Sequence, residues 1–201
     1  HLSLRRQRQM CIRDRYICDY GYELDGVIVM GTGHQPAPMV FAGKVLADVV
    51  RLIKGDRYRS RLISKIMFGA YNKRIKNVRT VNDWLTRDEA VVDEYNAGKL
   101  TTFLFTVNGY RGLMNMILYV RKPRNIERIP KNLPMLMISG LDDPVGEYGK
   151  GVYRAYNSYH GHIDDIDLRL YEDCRHELCN ELNKEEIYEE IYGWIMNHMS
   201  K

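Results

Sequence analysis

The stretch LYEDCRHELCNE, residues 170–181, sets one histidine, two cysteines and four carboxylates in twelve positions. An imidazole gains and loses a proton near neutral pH, so His176 is a candidate general base. A second cluster, LDDPVG at 141–146, offers Asp142 and Asp143 directly after the apolar run LPMLMISG. A carboxylate that holds one imidazole nitrogen fixes the tautomer. It also stabilises the imidazolium formed when the other nitrogen takes a proton. Such a pair can activate an alcohol, and from spacing alone either aspartate could serve. Other chemistry fits less well. His160, His162, Cys174 and Cys179 are metal-ligand types, but HxH and CxxxxC lack the spacing of a four-ligand zinc site. Cys174 as a nucleophile stands too close in sequence to His176 to swing onto it. The two cysteines read as small packing residues.

Both clusters follow segments that read as strands. LPMLMISG (133–140) is continuously apolar, as a strand covered on both faces is, and IDLRLYED (166–173) is the next strand. GKGVYRAYNSYHG lies between them as a helix, and NKEEIYEEIYGWIMNHM closes the chain as another, with Asn183 as expected N-cap. Strand, helix, strand, helix is the unit of a parallel doubly wound sheet, whose functional groups gather beyond the carboxyl ends of the strands. Parallel strands would therefore bring both clusters to one rim. Upstream, YICDYGYEL reads as the end of a helix and LDGVIVMG (24–31) as a strand. AGKVLADVVRLIKG then puts Val45, Val49, Leu52 and Ile53 on one helical face and stops at Gly55. RSRLISKIMFGAYNKR is a further amphipathic piece. TRDEAVVDEYNAG predicts a helix capped by Thr86 with Glu89 at the capping-box spacing. Residues 102–121 predict a helix interrupted around Gly109 and Gly112.

A chain of 201 residues is long enough for one α/β domain with a real core. No apolar run reaches the roughly 18 residues a membrane span needs. Four cysteines are too few for a disulfide scaffold at this length, which fits a reduced, cytoplasmic setting. The net charge of +4 is misleading, because residues 1–15 hold five of the 30 basic and one of the 26 acidic side chains, leaving 25 of each. This arm, HLSLRRQRQMCIRDR, has no periodic apolar face and reads as a non-native extension with no nucleic-acid role.

From about residue 20 onward the chain resembles α/β-hydrolases of the lysophospholipase and monoacylglycerol-lipase type, which carry the serine aminopeptidase domain. The resemblance rests on LDGVIVMGTGHQP, DRYRSRLISKIMFGAYNKR, RTVNDWLTRDE, FTVNGYRGL, LPMLMISGLDDPVG with GKGV, and LYEDCRHELCNE. It implies the C-terminal part of an α/β-hydrolase fold over residues 16–201, with a helical lid at about 36–100. It also implies a Ser-His-Asp triad in which the acid directly before Pro-Val, Asp143, orients His176. The implied reaction is cleavage of small acyl-ester or lipid substrates without metal or organic cofactor. A peptidase of the same fold and a noncatalytic basic interaction module are the competing readings.

The nucleophile is missing. The triad order is Ser, acid, His, with serine in a G-x-S-x-G elbow. None of Ser3, Ser60, Ser64, Ser139, Ser158 and Ser200 has glycines two positions away on both sides. The expectation is a truncated hydrolase, inactive alone, that begins in the helix after the elbow. Residues 51–79 hold ten lysines and arginines against one acid, Asp56, interleaved with Leu52, Ile53, Leu62, Ile63, Ile66, Met67 and Phe68. That pattern suits transient contact of the lid with a membrane surface. It also suits a solvated face paired with Asp83, Asp88, Glu89, Asp93 and Glu94.

Overall fold

A computed structural model describes residues 12–99 and 101–199. Residues 1–11 of the expected extension lie outside them, while residues 12–15 are helical, within the described part of helix α1 (12–20). Strand β1 (Val27–Met30) follows, then α2 (Ala37–Lys54), α3 (Arg61–Phe68), α4 (Glu89–Ala97), α5 (Val107–Val120) and the short α6 (Pro123–Ile126). The chain ends in β2 (Met135–Gly140), α7 (Lys150–His160), β3 (Ile166–Tyr171) and α8 (Lys184–Met199). The three strands form one parallel sheet in the order β1-β2-β3.

The pleat of β2 sorts its side chains between two cores. Met135 and Met137 face Ile17 and Cys18 of α1 and Ala155 and Tyr159 of α7. Leu136 and Ile138 face Ile187 and Trp194 of α8, together with Cys174 and Leu178. All six β2 residues are buried, which is why the segment is apolar without alternation. β1 forms one edge of the sheet.

A third core joins α2 to α5. Ala47, Ile63, Phe105, Val107, Tyr110 and Leu113 form it, and Gly43 lets α2 close on the Met114 side chain. The apolar face that periodicity picks out on α2 is a different one. Leu52 and Ile53 are 78% and 71% exposed, and Phe41, Val45 and Val49 are exposed beside them. Small residues at 43 and 47 allow the closer approach on the opposite face.

Two local expectations fail for identifiable reasons. Asp88, not Thr86, caps α4, accepting from the backbone N–H of Ala90 and Val91. Thr86 is drawn away because its hydroxyl donates to the Asn180 carbonyl at 2.7 Å. α5 is continuous through Gly109 and Gly112, started by the Thr106 cap on the Gly109 N–H. Gly109 is there for space, since a Cβ would meet Phe105.

Replacing buried Leu113 by Ala should cost about 2–5 kcal/mol in urea unfolding. Ile53→Ser on the exposed face should change stability by no more than about 0.5 kcal/mol. Equal losses would place the helix the other way round.

Candidate active site

The β2 and β3 strands end side by side, and the turns that follow touch. Leu141 N–H bonds to the Tyr171 carbonyl and Asp142 N–H to the Cys174 carbonyl, both at 2.9 Å. A Cβ at Gly140 would overlap the Cys174 carbonyl oxygen, so the approach of the two turns requires glycine. Gly31, at the end of β1 with φ of 62°, lies under the His176 ring, where a Cβ would come within 3.1 Å of it.

This packing brings Asp143 to His176. The Asp143 Oδ2 lies 2.9 Å from His176 Nδ1, with the two residues 0% and 5% exposed. Asp143 Oδ1 accepts the Val145 N–H at 2.8 Å, an Asx turn that fixes the carboxylate. With Nδ1 occupied as donor, Nε2 is the nitrogen left to take a proton from an alcohol. Asp142, the alternative acid, does not make this contact and is exposed. The residues weighed as metal ligands are engaged separately. His160 stacks on Tyr156, His162 Nε2 bonds to the Ile129 carbonyl at 2.7 Å, and buried Cys174 donates to Asn183 Oδ1. Burial first, then the Glu181 carboxylate, pushes the Cys174 thiol up, away from the thiolate a nucleophile needs. Asn183 precedes α8 as expected, but its Oδ1 also accepts from Arg87 at 2.8 Å.

Further contacts to the histidine turn come from residues 83–87. The Trp84 ring sits against the His176 ring at a centroid distance of 5.2 Å. Glu177 N–H donates to the Leu85 carbonyl at 2.7 Å, and Arg175 Nη1 donates to the carbonyls of Asp83 and Thr86 at 2.6 and 2.9 Å. Glu181, fully buried, accepts from Arg87 Nε and from the Arg175 N–H, both at 2.8 Å. The turn carrying His176 is thus clamped to a segment about ninety residues earlier. Nothing in the spacing of DWLTR announces that return. Trp84, Arg87 and Glu181 escape sequence reading for that reason.

Beside this pair lies a cavity of about 510 Å³. The acid's own turn supplies Pro144 and Val145, α2 supplies Met39, Val40, Gly43 and Leu46, and α5 supplies Met114 and Ile117. Its wall is largely apolar, the usual character of a small-ligand site.

A parallel sheet covered on both faces, with an aspartate after one strand bonded to a histidine after the next, defines an α/β-hydrolase fold. Solved structures of similar fold include a thermostable carboxyl esterase from Bacillus coagulans, with a TM-score of 0.81 and 22% identity over 95% of this chain and 61% of the esterase. A lipase in an open form gives 0.82 and 20% over 96% and 63% of the two chains. A soluble variant of monoglyceride lipase from Saccharomyces cerevisiae gives 0.67 and 17% over 94% and 59%. This chain therefore spans about three-fifths of the length of each. No curated protein matches it in sequence. Residues 12–183 match the serine aminopeptidase, S33 family of hydrolases, and the chain belongs to that family.

The clamp has a pH signature. Burial alone would raise the Asp83 carboxyl, but the Thr80 hydroxyl and the N–H groups of Arg79 and Thr80 outweigh it and hold it below its usual 3.8. A depressed folded value means its stabilisation is present above the unfolded value and lost as pH falls through the folded one. Asp83→Asn should cost about 1–3 kcal/mol at pH 7. The gap to the parent chain should narrow below pH 3.8 in urea unfolding followed by tryptophan fluorescence. A gap constant with pH would mean the carboxylate charge is not what holds the segment.

Proposed function

We propose that this chain supplies the acid and the base of a serine hydrolase that cleaves carboxylic acyl esters of lysophospholipid or monoacylglycerol type. The buried Asp143–His176 hydrogen bond is the observation that carries this reading. The serine comes from outside the 201 residues. Its hydroxyl gives a proton to His176 Nε2 as the oxygen attacks the ester carbonyl carbon. The imidazolium, held by Asp143, returns that proton to the departing alcohol, which leaves an acyl-serine. Water then repeats the sequence, with His176 taking its proton, and the carboxylic acid departs. Neither step calls on a metal or organic cofactor.

In this reading residues of about 36–100 form the lid. α2 gives one face to the cavity and turns Phe41, Val45, Val49, Leu52 and Ile53 outward. Leu62 and Ile66 of α3 are exposed as well, among the cations of residues 51–79. Of those cations Arg79 bonds to Asp93 and Glu89, and Arg51 to Asp56, so the balance favours transient contact with a lipid surface only in part. Among the described residues no helix is long and apolar enough to cross a membrane. The family's peptidase title keeps an aminoacyl amide as the second substrate class, and paired ester and amide profiles of the complete protein separate the two.

Two measurements test the proposal. The complete protein should hydrolyse a short p-nitrophenyl ester, and His176→Ala should lower kcat by about 10³-fold or more. The 201-residue chain should show no turnover, and turnover by it that vanishes in His176→Ala would overturn the role assigned to the external serine. In liposome co-sedimentation the complete protein should bind anionic vesicles, and Leu52→Ser with Ile53→Ser should weaken that binding. Identical sedimentation with and without vesicles would remove the lipid-surface role.

A further inference from the structure

The cavity beside the pair is apolar along most of its wall, yet one guanidinium enters it without a counter-ion among the described residues. Arg121 follows α5, is half-buried and lines the cavity. Its Nη1 donates to the Gln35 carbonyl at 2.7 Å and its Nη2 meets His34 Nε2 at 2.5 Å. Among the described residues no carboxylate lies within ion-pair distance of it. The two acids that line the same cavity are spoken for, Asp14 by Arg13 and Glu147 by Arg154.

Among the described residues the charge of Arg121 is therefore uncompensated. Arg154 donates to the His34 carbonyl at 2.9 Å, which sets a second cation nearby. Burial, and then the charge of Arg154, push Arg121 down. Burial, followed by Arg121 and Arg154, pushes His34 down, so its ring is neutral and Nε2 accepts the guanidinium proton. A cation removed from water without an anionic partner is costly, and the guanidinium fork keeps further N–H donors of its five for a planar or tetrahedral oxyanion. The site is also joined to the acid: Gln35 Nε2 donates to the Val145 carbonyl at 3.0 Å, and Val145 N–H donates to Asp143 Oδ1.

We infer that Arg121 binds the anionic head, phosphate or carboxylate, of a single-chain amphiphile whose alkyl chain lies in the apolar cavity. The inference rests on the proposed cleavage of acyl esters, with the apolar cavity taken as the seat of the acyl chain, and it selects charged over neutral acyl substrates. The test uses the complete protein and calorimetric titration below micelle-forming concentrations. Dodecyl phosphate and dodecanoate should bind about tenfold more tightly than the neutral 1-dodecyl glyceryl ether. Arg121→Met should erase that tenfold difference while leaving ether binding unchanged. Arg121→Lys, which keeps the charge and loses the fork, should retain part of it. Inorganic phosphate should bind far more weakly than dodecyl phosphate, because it leaves the apolar wall unused. Equal affinity for ether and anions, with the ether bound, would overturn the headgroup site alone. No binding of any amphiphile would overturn the acyl pocket with it. Tight binding of inorganic phosphate would make Arg121 a free-phosphate site instead.

Discussion

A carboxylate with no exposure to water must find its compensation inside the protein. For Asp143 that compensation is the His176 imidazole and the Val145 N–H. The bond can form only if the turn after β2 and the turn after β3 are in contact, and the glycine at 140 is what lets the Cys174 carbonyl come so near. The rest of the sheet serves this approach. Register between β2 and β3, from Met135 opposite Ile166 to Gly140 opposite Tyr171, makes the two strands end level. A slip of one residue would turn the side chains of one strand to the other face and part the pair.

The histidine turn is also the seat of a second element. Residues 83–87 lie on it through Trp84, the Leu85 carbonyl and the Arg87–Glu181 bond. Replacing one partner would leave Glu181 as a buried unpaired charge, more damaging than the loss of an exposed ion pair. The clamp ties the end of the α3–α4 connection to His176. A movement of that end must therefore either break these bonds or carry the histidine with it.

Much of this was legible in the sequence. The unbroken apolar run 133–140 announced a strand covered on both faces, and the two clusters after 140 and 171 announced the rim. Spacing alone leaves Asp142 and Asp143 equivalent; the family resemblance favours Asp143, and it is Asp143 that lies against His176. Less readable were features set by distant contacts. Thr86 has the right type and spacing for a cap, but the Asn180 carbonyl competes for its hydroxyl. The apolar stripe at 45, 49, 52 and 53 obeys helical periodicity, yet periodicity cannot say which of two apolar faces meets a neighbour. Size decided that, through Gly43 and Ala47. Arg121 and His34 looked unremarkable because a missing counter-ion is a property of three dimensions.

α2 thus has two apolar faces, one packed on α5 and lining the cavity, the other turned outward. A helix apolar on both sides is ordinarily buried on both. Here the inner side is shared between α5 and an open cavity with a cation at Arg121, while the outer side is bordered by the lysines and arginines of residues 51–65. Apolar area next to positive charge therefore occurs twice across one helix. A polar substrate would use neither surface. In the proposed reading an amphiphile with an anionic head would use both, and the same physics that would hold it in the cavity would bring the helix to its source.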